Sequence, residues 1–278
     1  MKWIFLNHSF LPEEEAVLHV SDLSIQRGYG VFDYLKIINN EPIFLNEHLH
    51  RLEYSANELG LSLNISQSEL QTIIEELISR NKMGTSGIRL TLTGGYSKDG
   101  YTISDANLII QQQALTLPDA DAFKKGIKLV TYEHVRQLPH VKSINYLMGI
   151  WLQKYIQQNQ ANDVLYHWNG IISECPRANI FIVTHNDILV TPSQNILKGI
   201  TRQKLLHLAS GFMQCEEREI NRDELYNCKE AFITSTTKQV MPVTAVDSHI
   251  INHGTPGRVA HTLLDLLHQA QMNKELAQ

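Results

Sequence analysis

The sequence has few cysteines, no long apolar run and no excess of positive charge. Its three cysteines, Cys175, Cys215 and Cys228, show no paired spacing, which indicates reduced thiols in a reducing, cytoplasmic compartment. No apolar run approaches the length of a membrane span, and the start, "MKWIFLNHSFLPEEE", has too few apolar residues for a signal peptide. The formal net charge of −5 argues against nucleic-acid binding. We therefore expect neither a membrane nor a nucleic acid as partner.

The histidines form no recognisable metal-binding motif. The thirteen histidines are scattered along the chain. His48 and His50 in "NEHLHRL" are two residues apart, so on a helix their side chains point in different directions. We interpret them as surface histidines and predict no metal site.

The length and composition allow one large domain or two smaller ones, since the 278 residues are 43% hydrophobic. The segment "TLPDADAF" has no periodicity and contains a proline. We place an interdomain linker at residues 116–121, between an N-terminal α+β domain (1–115) and a C-terminal domain (122–278).

The first half is a mixture of strands and two helices that begins with a short N-terminal strand pair. One helix is predicted in "LNEHLHRLEYSANELGL", with Asn46 as its cap and Gly60 as its end. A second helix begins at a capping box formed by Ser66 and Glu69. The segment "GIRLTLTGG" alternates as a half-buried strand does, and "NLIIQQQAL" follows it after a turn.

The second half is dense in strands. A helix is predicted over residues 145–158, and Asn169-Gly170 predicts a two-residue hairpin turn between "DVLYHW" and "IISE". Strands are expected in "NIFIVT" and "DILVTP" and in the pair "EAFITSTTKQVMPVTAVD". Helices are expected in "LKGITRQKLLHLAS" and in "PGRVAHTLLDLLHQA".

One lysine stands in an unusual setting. In "QLPHVKSINYLMGIW", Lys142 has the apolar neighbours Val141, Ile144, Leu147 and Met148. A lysine is seldom buried without a partner, because dehydrating an ammonium group is costly. Either its amine reaches water, or the chain keeps it desolvated for chemistry.

Four further features each have an ordinary explanation when taken alone. Arg51 fits an exposed helix arginine, and Thr201 fits a common helix cap, although a helix start also binds anions. The cluster Ser235, Thr236 and Thr237 fits a solvent-facing turn. Glu174, at the end of a strand in "IISECPRANIF", fits a surface salt bridge with the nearby arginine. Together with Lys142, however, these residues are the parts needed to hold pyridoxal phosphate: an amine, an acid for the pyridine nitrogen, and phosphate donors.

The same residues lie in a series of motifs that resembles the fold-type IV (class IV) pyridoxal-phosphate enzymes. In order, the motifs are "RGYGVFDYLKI", "NEHLHRL", "VKSINYL", "ISECPRANIF", "ILKGITRQ" and "TSTTKQVMPV". The resemblance covers nearly the whole chain. It implies a smaller N-terminal α+β domain, a larger C-terminal domain with a strand-rich pseudo-barrel, and a homodimer with the cofactor at the domain boundary.

The resemblance also implies roles for individual residues. Lys142 is the expected Schiff-base lysine and proton carrier, and Glu174 the partner of the pyridine nitrogen. Tyr146 is expected to bond the ring hydroxyl. The phosphate is expected to be held by Arg51, Ile200, Thr201 and Thr236.

The family contains D-amino acid transaminases, branched-chain aminotransferases and aminodeoxychorismate lyases, which differ in how they bind the substrate. D-amino acid transaminases carry an arginine after the strand that here reads "RLTLTGGY", whereas this chain has Gly94 and Gly95. Arg177, or Arg27 donated by the other subunit, is an expected substitute, with Thr237 as a further substrate contact.

We expect a D-amino acid transaminase of the D-alanine/D-glutamate type with non-standard carboxylate binding, since "TSTT" is typical of those enzymes. The branched-chain enzyme and the lyase are alternatives within the family. A catalytically inactive binding protein is the alternative of another class.

Overall fold

The structure is a computed structural model and describes residues 1–272. The chain divides into two compact units. The N-terminal unit comprises Met1–Thr116 together with Val141–Asn145, and the C-terminal unit comprises Leu117–His140 and, of the described residues, 146–272. Over residues 1–272 no helix is both long and apolar enough to cross a membrane, and no group of three or more His, Cys, Asp or Glu is arranged to hold a metal ion.

The N-terminal unit contains a six-stranded sheet in the part of the chain that the structure describes, with the order β2-β1-β6-β5-β3-β4. Its strands are Trp3–Leu6 (β1), Ser9–Pro12 (β2), Gly30–Ile38 (β3), Glu41–Pro42 (β4), Ser86–Thr93 (β5) and Leu108–Ala114 (β6). In β5 the predicted alternation is confirmed, because Ile88, Leu90 and Leu92 are all buried. These side chains belong to the core of this unit together with the apolar side of two helices.

The helices of this unit are Leu23–Arg27 (α1), Leu45–Glu58 (α2) and Gln67–Asn81 (α3). The capping box of α3 is confirmed, since Ser66 Oγ accepts from the Glu69 N–H and the Glu69 carboxylate accepts from the Ser66 N–H. The predicted cap of α2 is wrong. Its cap position is Phe44, in a left-handed conformation (φ 55°) without a side-chain cap bond, so that Asn46 already lies inside the first turn.

The segment Val141–Asn145 makes its contacts in the N-terminal unit, although the sequence division placed it in the C-terminal domain. It runs beside β3, where Ser143 bridges to Val31 and the Ile144 N–H donates to the Gly30 carbonyl over 3.0 Å. Val141 is fully buried in the core of this unit. Because these partners lie more than a hundred residues away in the sequence, local patterns could not reveal the assignment.

The C-terminal unit contains a ten-stranded sheet within the described residues. Its strands are Ile127–Glu133 (β7), Asp163–Trp168 (β8), Ile171–Ile172 (β9), Glu174–Cys175 (β10), Ala178–Val183 (β11), Leu189–Thr191 (β12), Cys215–Glu217 (β13), Glu230–Ser235 (β14), Gln239–Val246 (β15) and His249–Ile250 (β16). The main path is β13-β12-β11-β14-β15-β7-β8-β9. The strand that follows β9 turns back, as β10, to pair with β11. This pairing curls the sheet toward closure, which agrees with the predicted pseudo-barrel.

Helices and turns connect these strands, and a last helix follows β16. The helices are Ala120–Lys125 (α4), Leu147–Trp151 (α5), Gln153–Gln158 (α6), Ile200–Ser210 (α7), Arg222–Tyr226 (α8) and Arg258–Met272 (α9). The hairpin at Asn169-Gly170 is confirmed, with both residues at positive φ (48° and 79°) between β8 and β9. The helix predicted over 145–158 is instead α5 and α6, which are separated at the buried Leu152 (ψ −2°).

Candidate active site

The backbone of Lys142 is held by two hydrogen bonds, one through its N–H and one through its carbonyl. Its N–H donates to Ser55 Oγ of α2 over 3.2 Å, and its carbonyl accepts from the Phe32 N–H of β3 over 3.0 Å. Its side chain is only half-buried. The apolar neighbours that drew attention to it differ in environment, since Val141 is fully buried whereas Leu147 is 69% exposed.

The amine of Lys142 lies against an aromatic ring. Its Nζ is 4.7 Å from the centre of the Phe32 ring, and Arg89 Cζ is 4.0 Å from the centre of the same ring. Both cations are attracted by the ring's quadrupole. Arg89 was not among the residues predicted from the sequence, but the alternation of β5 was a usable signal, because it turns Arg89 away from the face of Ile88 and Leu90.

Arg51 is oriented by a buried carboxylate. Its Nε and Nη2 donate to the two oxygens of Asp33 over 2.8 and 2.7 Å, and His48 Nδ1 lies 2.7 Å from Asp33 Oδ1. Asp33 is fully buried and His48 is 2% exposed. The prediction that His48 lies at the surface is therefore wrong, whereas His50 is exposed as expected. An aspartate inside the apolar strand "GVFDYLKI" was the signal for a buried partner.

The charges in this cluster follow from the geometry. Burial by itself would raise the pKa of the Asp33 carboxyl, but the charges and hydrogen bonds of Arg51 and His48 hold that pKa well below its ordinary range. Burial lowers the pKa of His48, against the opposing effect of Asp33. His48 is therefore neutral near pH 7, with Nδ1–H as the donor, because an ionised carboxylate can only accept.

In the C-terminal unit, Glu174 is a buried carboxylate bound through both oxygens. Arg136 Nη1 donates to Oε1 over 2.8 Å, and the Leu197 N–H donates to Oε2 over 3.0 Å. Asn179 Nδ2 lies 3.4 Å from Oε2. The acid is 4% exposed, so it does not form the surface salt bridge considered above. Arg136, which sequence analysis missed, is its ionic partner.

The start of α7 is a second ordered element of this unit. Ile200 and Thr201, its first two residues, are buried, and Gly199 occupies the cap position. Arg202, which is 1% exposed, fixes this first turn by donating to Glu217 Oε2 over 2.6 Å and to the Pro192 carbonyl over 2.9 Å. The first N–H groups of a helix have no acceptor within the helix, so this end favours an anion.

The serine and threonine cluster forms the turn between β14 and β15. Thr236 and Thr237 are half-buried turn residues. The turn is closed by Ser235 Oγ, which accepts from the Lys238 N–H over 3.1 Å. The Lys238 amine in turn forms an ion pair with Asp163. The two threonine hydroxyls are thus held on a fixed turn.

The other predicted residues occupy more exposed positions. Tyr146 is half-buried at the cap of α5. Arg177 is exposed in the turn of the β10–β11 hairpin, where Cys175 pairs with Ala178. Arg27 ends α1 and is exposed, with Nη1 donating to the Gln26 carbonyl over 3.0 Å.

Each unit contains groups of the kinds that pyridoxal phosphate requires. The N-terminal unit supplies a primary amine beside an aromatic ring and an arginine held in a fixed direction. The C-terminal unit supplies a buried, oriented carboxylate, a helix start and two turn hydroxyls. Amine, carboxylate and anion-binding donors are the three kinds of group that the cofactor requires.

Comparison with known proteins identifies the family. Residues 30–246 match the family model of the class IV amino-transferases. The chain is 33% identical to the D-alanine aminotransferase of Bacillus licheniformis over 263 residues, 92% of each chain. It is 28% identical to the D-alanine aminotransferase of Staphylococcus aureus (strain N315) over 270 residues, 95% of each.

Solved structures also match this chain over nearly its whole length. The T.th. branched-chain amino acid aminotransferase with pyridoxamine 5'-phosphate matches with a TM-score of 0.90 at 25% identity, over 97% of this chain and 93% of that one. A putative 4-amino-4-deoxychorismate lyase from Legionella pneumophila matches with a TM-score of 0.84 at 25% identity, over 92% and 96%. The chain belongs to the class IV aminotransferases. It is a pyridoxal-phosphate-dependent aminotransferase, and the predictions of family, fold, enzyme class and cofactor are confirmed.

The buried His48 should make stability depend on pH. As the pH falls below about 6.5, the unfolded chain binds a proton that the buried ring, with its lowered pKa, does not bind. The free energy of unfolding should therefore fall with decreasing pH, by at most about 1.4 kcal/mol per pH unit for this one group. His48→Asn retains a donor for Asp33 and should flatten this slope. Urea unfolding at several pH values measures it.

His50→Asn is the matched control, because His50 is exposed on the same helix. It should leave the slope as in the native chain. Equal slopes for His48→Asn and the native protein would show that His48 does not supply this pH dependence.

Proposed function

We propose that this aminotransferase transfers the amino group of a D-amino acid of the D-alanine/D-glutamate type to a 2-oxo acid. The observation that carries the proposal is the identity of 33% and 28% to D-alanine aminotransferases across nearly the full length of both chains. The motif "TSTTKQVMP" supports the same activity. Branched-chain transamination and aminodeoxychorismate lysis are the competing activities, since structures carrying those names share the fold.

Lys142 is the proposed catalytic residue. Bound pyridoxal phosphate supplies an aldehyde that receives the amino group and a ring that withdraws electrons from the substrate Cα. Lys142 Nζ would hold the cofactor before the substrate arrives. Once the substrate's amino group has replaced it, the freed amine would take the proton from the substrate Cα and deliver it to the carbon of the former aldehyde. The place of Nζ against the Phe32 ring restricts where the amine can move.

Glu174 is proposed to keep a proton on the ring nitrogen. A carboxylate does this only when it is fixed and ionised. Arg136 and the Leu197 N–H stabilise the ionised form and fix its direction. The phosphate is assigned to Arg51, Ile200, Thr201 and Thr236, and the ring hydroxyl to Tyr146.

The substrate carboxylate must be bound without the arginine that the D-amino acid enzymes carry after β5. Gly94 and Gly95 are buried, and an added Cβ would lie 2.9 Å from the Leu23 side chain at Gly94 and 2.1 Å from the Asp105 carbonyl oxygen at Gly95. Gly95 also has a positive φ of 76°, which disfavours a side chain. A side chain therefore does not fit at Gly95 and fits at Gly94 only if the Leu23 side chain moves, which supports a non-standard carboxylate site.

Three arginines are candidates for that site. Arg27 and Arg177 are exposed, and Arg89 lies against the ring that also contacts the Lys142 amine. Thr237 is a further candidate, because its hydroxyl lies on the fixed β14–β15 turn. A guanidinium can donate two parallel hydrogen bonds to a carboxylate, so any of the three arginines has suitable chemistry.

We also propose a cytoplasmic homodimer. Leu147, Ile150 and Trp151 on α5 are 69%, 64% and 64% exposed, which is an apolar surface suited to a second copy of the chain. Cys175, Cys215 and Cys228 are free thiols, which suits a reducing compartment.

The proposed dimer is tested by light scattering, which should give twice the chain mass of 31.7 kDa. A monomer at working concentration would contradict the dimer.

The proposed function is tested by single half-reactions. Holoenzyme is mixed separately with D-alanine, D-glutamate, L-leucine, L-glutamate and aminodeoxychorismate, and the cofactor absorbance is followed. Loss of the cofactor band with the D-amino acids supports the proposal. A response to L-leucine alone indicates the branched-chain enzyme, and pyruvate release without amino transfer indicates the lyase.

Lys142→Ala should abolish turnover while preserving the fold. One amine supplies both the covalent link and the proton transfer, whereas the half-buried side chain adds little to the core. The visible spectrum, the steady-state rate and the thermal midpoint are compared with those of Lys124→Ala, a control at a lysine that is 76% exposed. A normal cofactor band with near-normal turnover in Lys142→Ala would exclude this lysine.

Glu174→Gln should keep the cofactor and lower turnover by about a hundredfold or more, since an amide does not hold the ring nitrogen protonated and such electrostatic groups contribute on the order of 3 kcal/mol. The rate with the best substrate is measured beside that of Glu219→Gln, at an exposed glutamate. If Glu174→Gln turns over as fast as this control, Glu174 has no role in the reaction.

Removing the arginine that binds the carboxylate should weaken the binding of D-alanine by roughly 1.5–3 kcal/mol, which lowers its affinity about ten- to a hundredfold. D-Alaninamide, which has the same configuration but no carboxylate, should be unaffected. Half-reaction constants for both compounds are measured with Arg27→Ala, Arg177→Ala, Arg89→Gln and the exposed control Arg258→Ala. An arginine whose loss alters both compounds equally does not bind the carboxylate.

A further inference from the structure

The side chain of Asn179 connects two parts of the C-terminal unit. Asn179 is 5% exposed at the start of β11, directly opposite Glu174 in the β10–β11 hairpin. Its Nδ2 donates to the Leu197 carbonyl over 2.8 Å and lies 3.4 Å from Glu174 Oε2. The N–H of the same Leu197 donates to Glu174 Oε2 over 3.0 Å. The acid, the amide and one backbone residue thus form a closed set of contacts.

Leu197 lies just before α7. It is followed by Lys198, then by the cap residue Gly199, and the helix begins at Ile200. Gly199 has an ordinary backbone conformation (φ −64°, ψ 139°), so its backbone does not require glycine. Space does, because an added Cβ would lie 2.2 Å from Asn179 Oδ1. Asn179 therefore contacts the chain on both sides of Lys198, through Leu197 and Gly199.

We propose that Asn179 is a positioning residue that holds the Glu174 carboxylate and the N-terminus of α7 in one fixed arrangement. This inference rests on the cofactor roles proposed for Glu174 and Thr201. The ring nitrogen and the phosphate of pyridoxal phosphate are joined by the ring and a short linker, so an acid and a helix start would serve the cofactor together only if the spacing between them varies little. Asn179 fixes that spacing through Leu197, whose N–H binds the acid and whose carbonyl binds the amide.

The experiment measures equilibrium binding to the apoprotein rather than turnover. Pyridoxal and pyridoxal phosphate are titrated separately. Affinity for pyridoxal reports on Glu174, and the ratio of the two affinities reports on the phosphate site. Glu174→Gln should lower both affinities by a similar factor and leave the ratio unchanged. Thr201→Val should lower only the ratio.

Asn179→Ala should change both quantities, the pyridoxal affinity and the ratio, each by up to about tenfold, the size of one or two lost hydrogen bonds. Asn179→Asp has the same shape but places an acceptor where Nδ2 donates, facing the Leu197 carbonyl and Glu174. It should be at least as harmful as Asn179→Ala, which a pure packing role would not produce. Asn169→Ala, in the β8–β9 turn, is the control that should change neither quantity.

Gly199→Ala tests the same contact from the other side. Its Cβ would displace the Asn179 amide, so the variant should show the same double loss. In Asn179→Ala/Gly199→Ala the colliding atom is gone, and the next neighbour of the Cβ is Arg202 Cβ at 3.6 Å, an ordinary contact. The second substitution should therefore cost less in the Asn179→Ala background than alone.

The outcomes separate this inference from the proposed function. If Asn179→Ala lowers only the thermal midpoint, or changes only one of the two binding quantities, Asn179 does not couple the two elements. Additive effects of the two substitutions would also overturn the inference. If Glu174→Gln and Thr201→Val change neither quantity, the cofactor roles themselves are wrong and the inference falls with them. Should Asn179→Ala fail to fold, Gly199→Ala with Asn179→Ser decides by the same criteria.

Discussion

Each unit contains a buried carboxylate that is held by an arginine. A charged group without water is strongly unfavourable unless a countercharge and hydrogen bonds replace the lost hydration. Asp33 meets this requirement with Arg51 and His48, and Glu174 meets it with Arg136 and the Leu197 N–H. Because leaving either acid unpaired would be costly, the partners are fixed in direction. The directions of Arg51 and Glu174, the two groups for which cofactor roles are proposed, follow from that need.

Local sequence patterns predicted much of the fold, because the interactions that form those elements are themselves local. The Ser66 capping box joins residues three apart, and the Asn169-Gly170 turn needs only two positive φ angles. The same reasoning failed where long-range contacts decide. Asn46 has good capping chemistry, yet the chain enters α2 through Phe44. The helix expected over 145–158 divides at Leu152, whose side chain is buried in the core around β7 and β8.

In the candidate site, too, local motifs predicted some residues, whereas those placed by long-range contacts were missed. Motifs indicated Lys142, Glu174 and Thr201 because each motif is contiguous in the sequence. The residues that orient Arg51 and Glu174 were missed, since Asp33 precedes Arg51 by 18 positions and Arg136 precedes Glu174 by 38. His48 was assigned to the surface because helical spacing gives its direction relative to His50 but not which side is buried. The buried Asp33 of β3 decides which side of α2 is buried, and only the tertiary structure brings Asp33 and His48 together.

Pairing with Asp33 also changes what Arg51 can contribute to a phosphate. The ion pair has no net charge, and His48 is neutral near pH 7, so this cluster offers a directed guanidinium rather than a positive field. In the phosphate site proposed above, most of the charge would therefore be balanced by dipoles, namely those of the N-terminus of α7 and of the threonine hydroxyls. Dipoles act only at close range and in one orientation, unlike a mobile lysine. The start of α7 is rigid, since Arg202 is fully buried and Gly199 is closely packed, and the proposed phosphate site would require that rigidity.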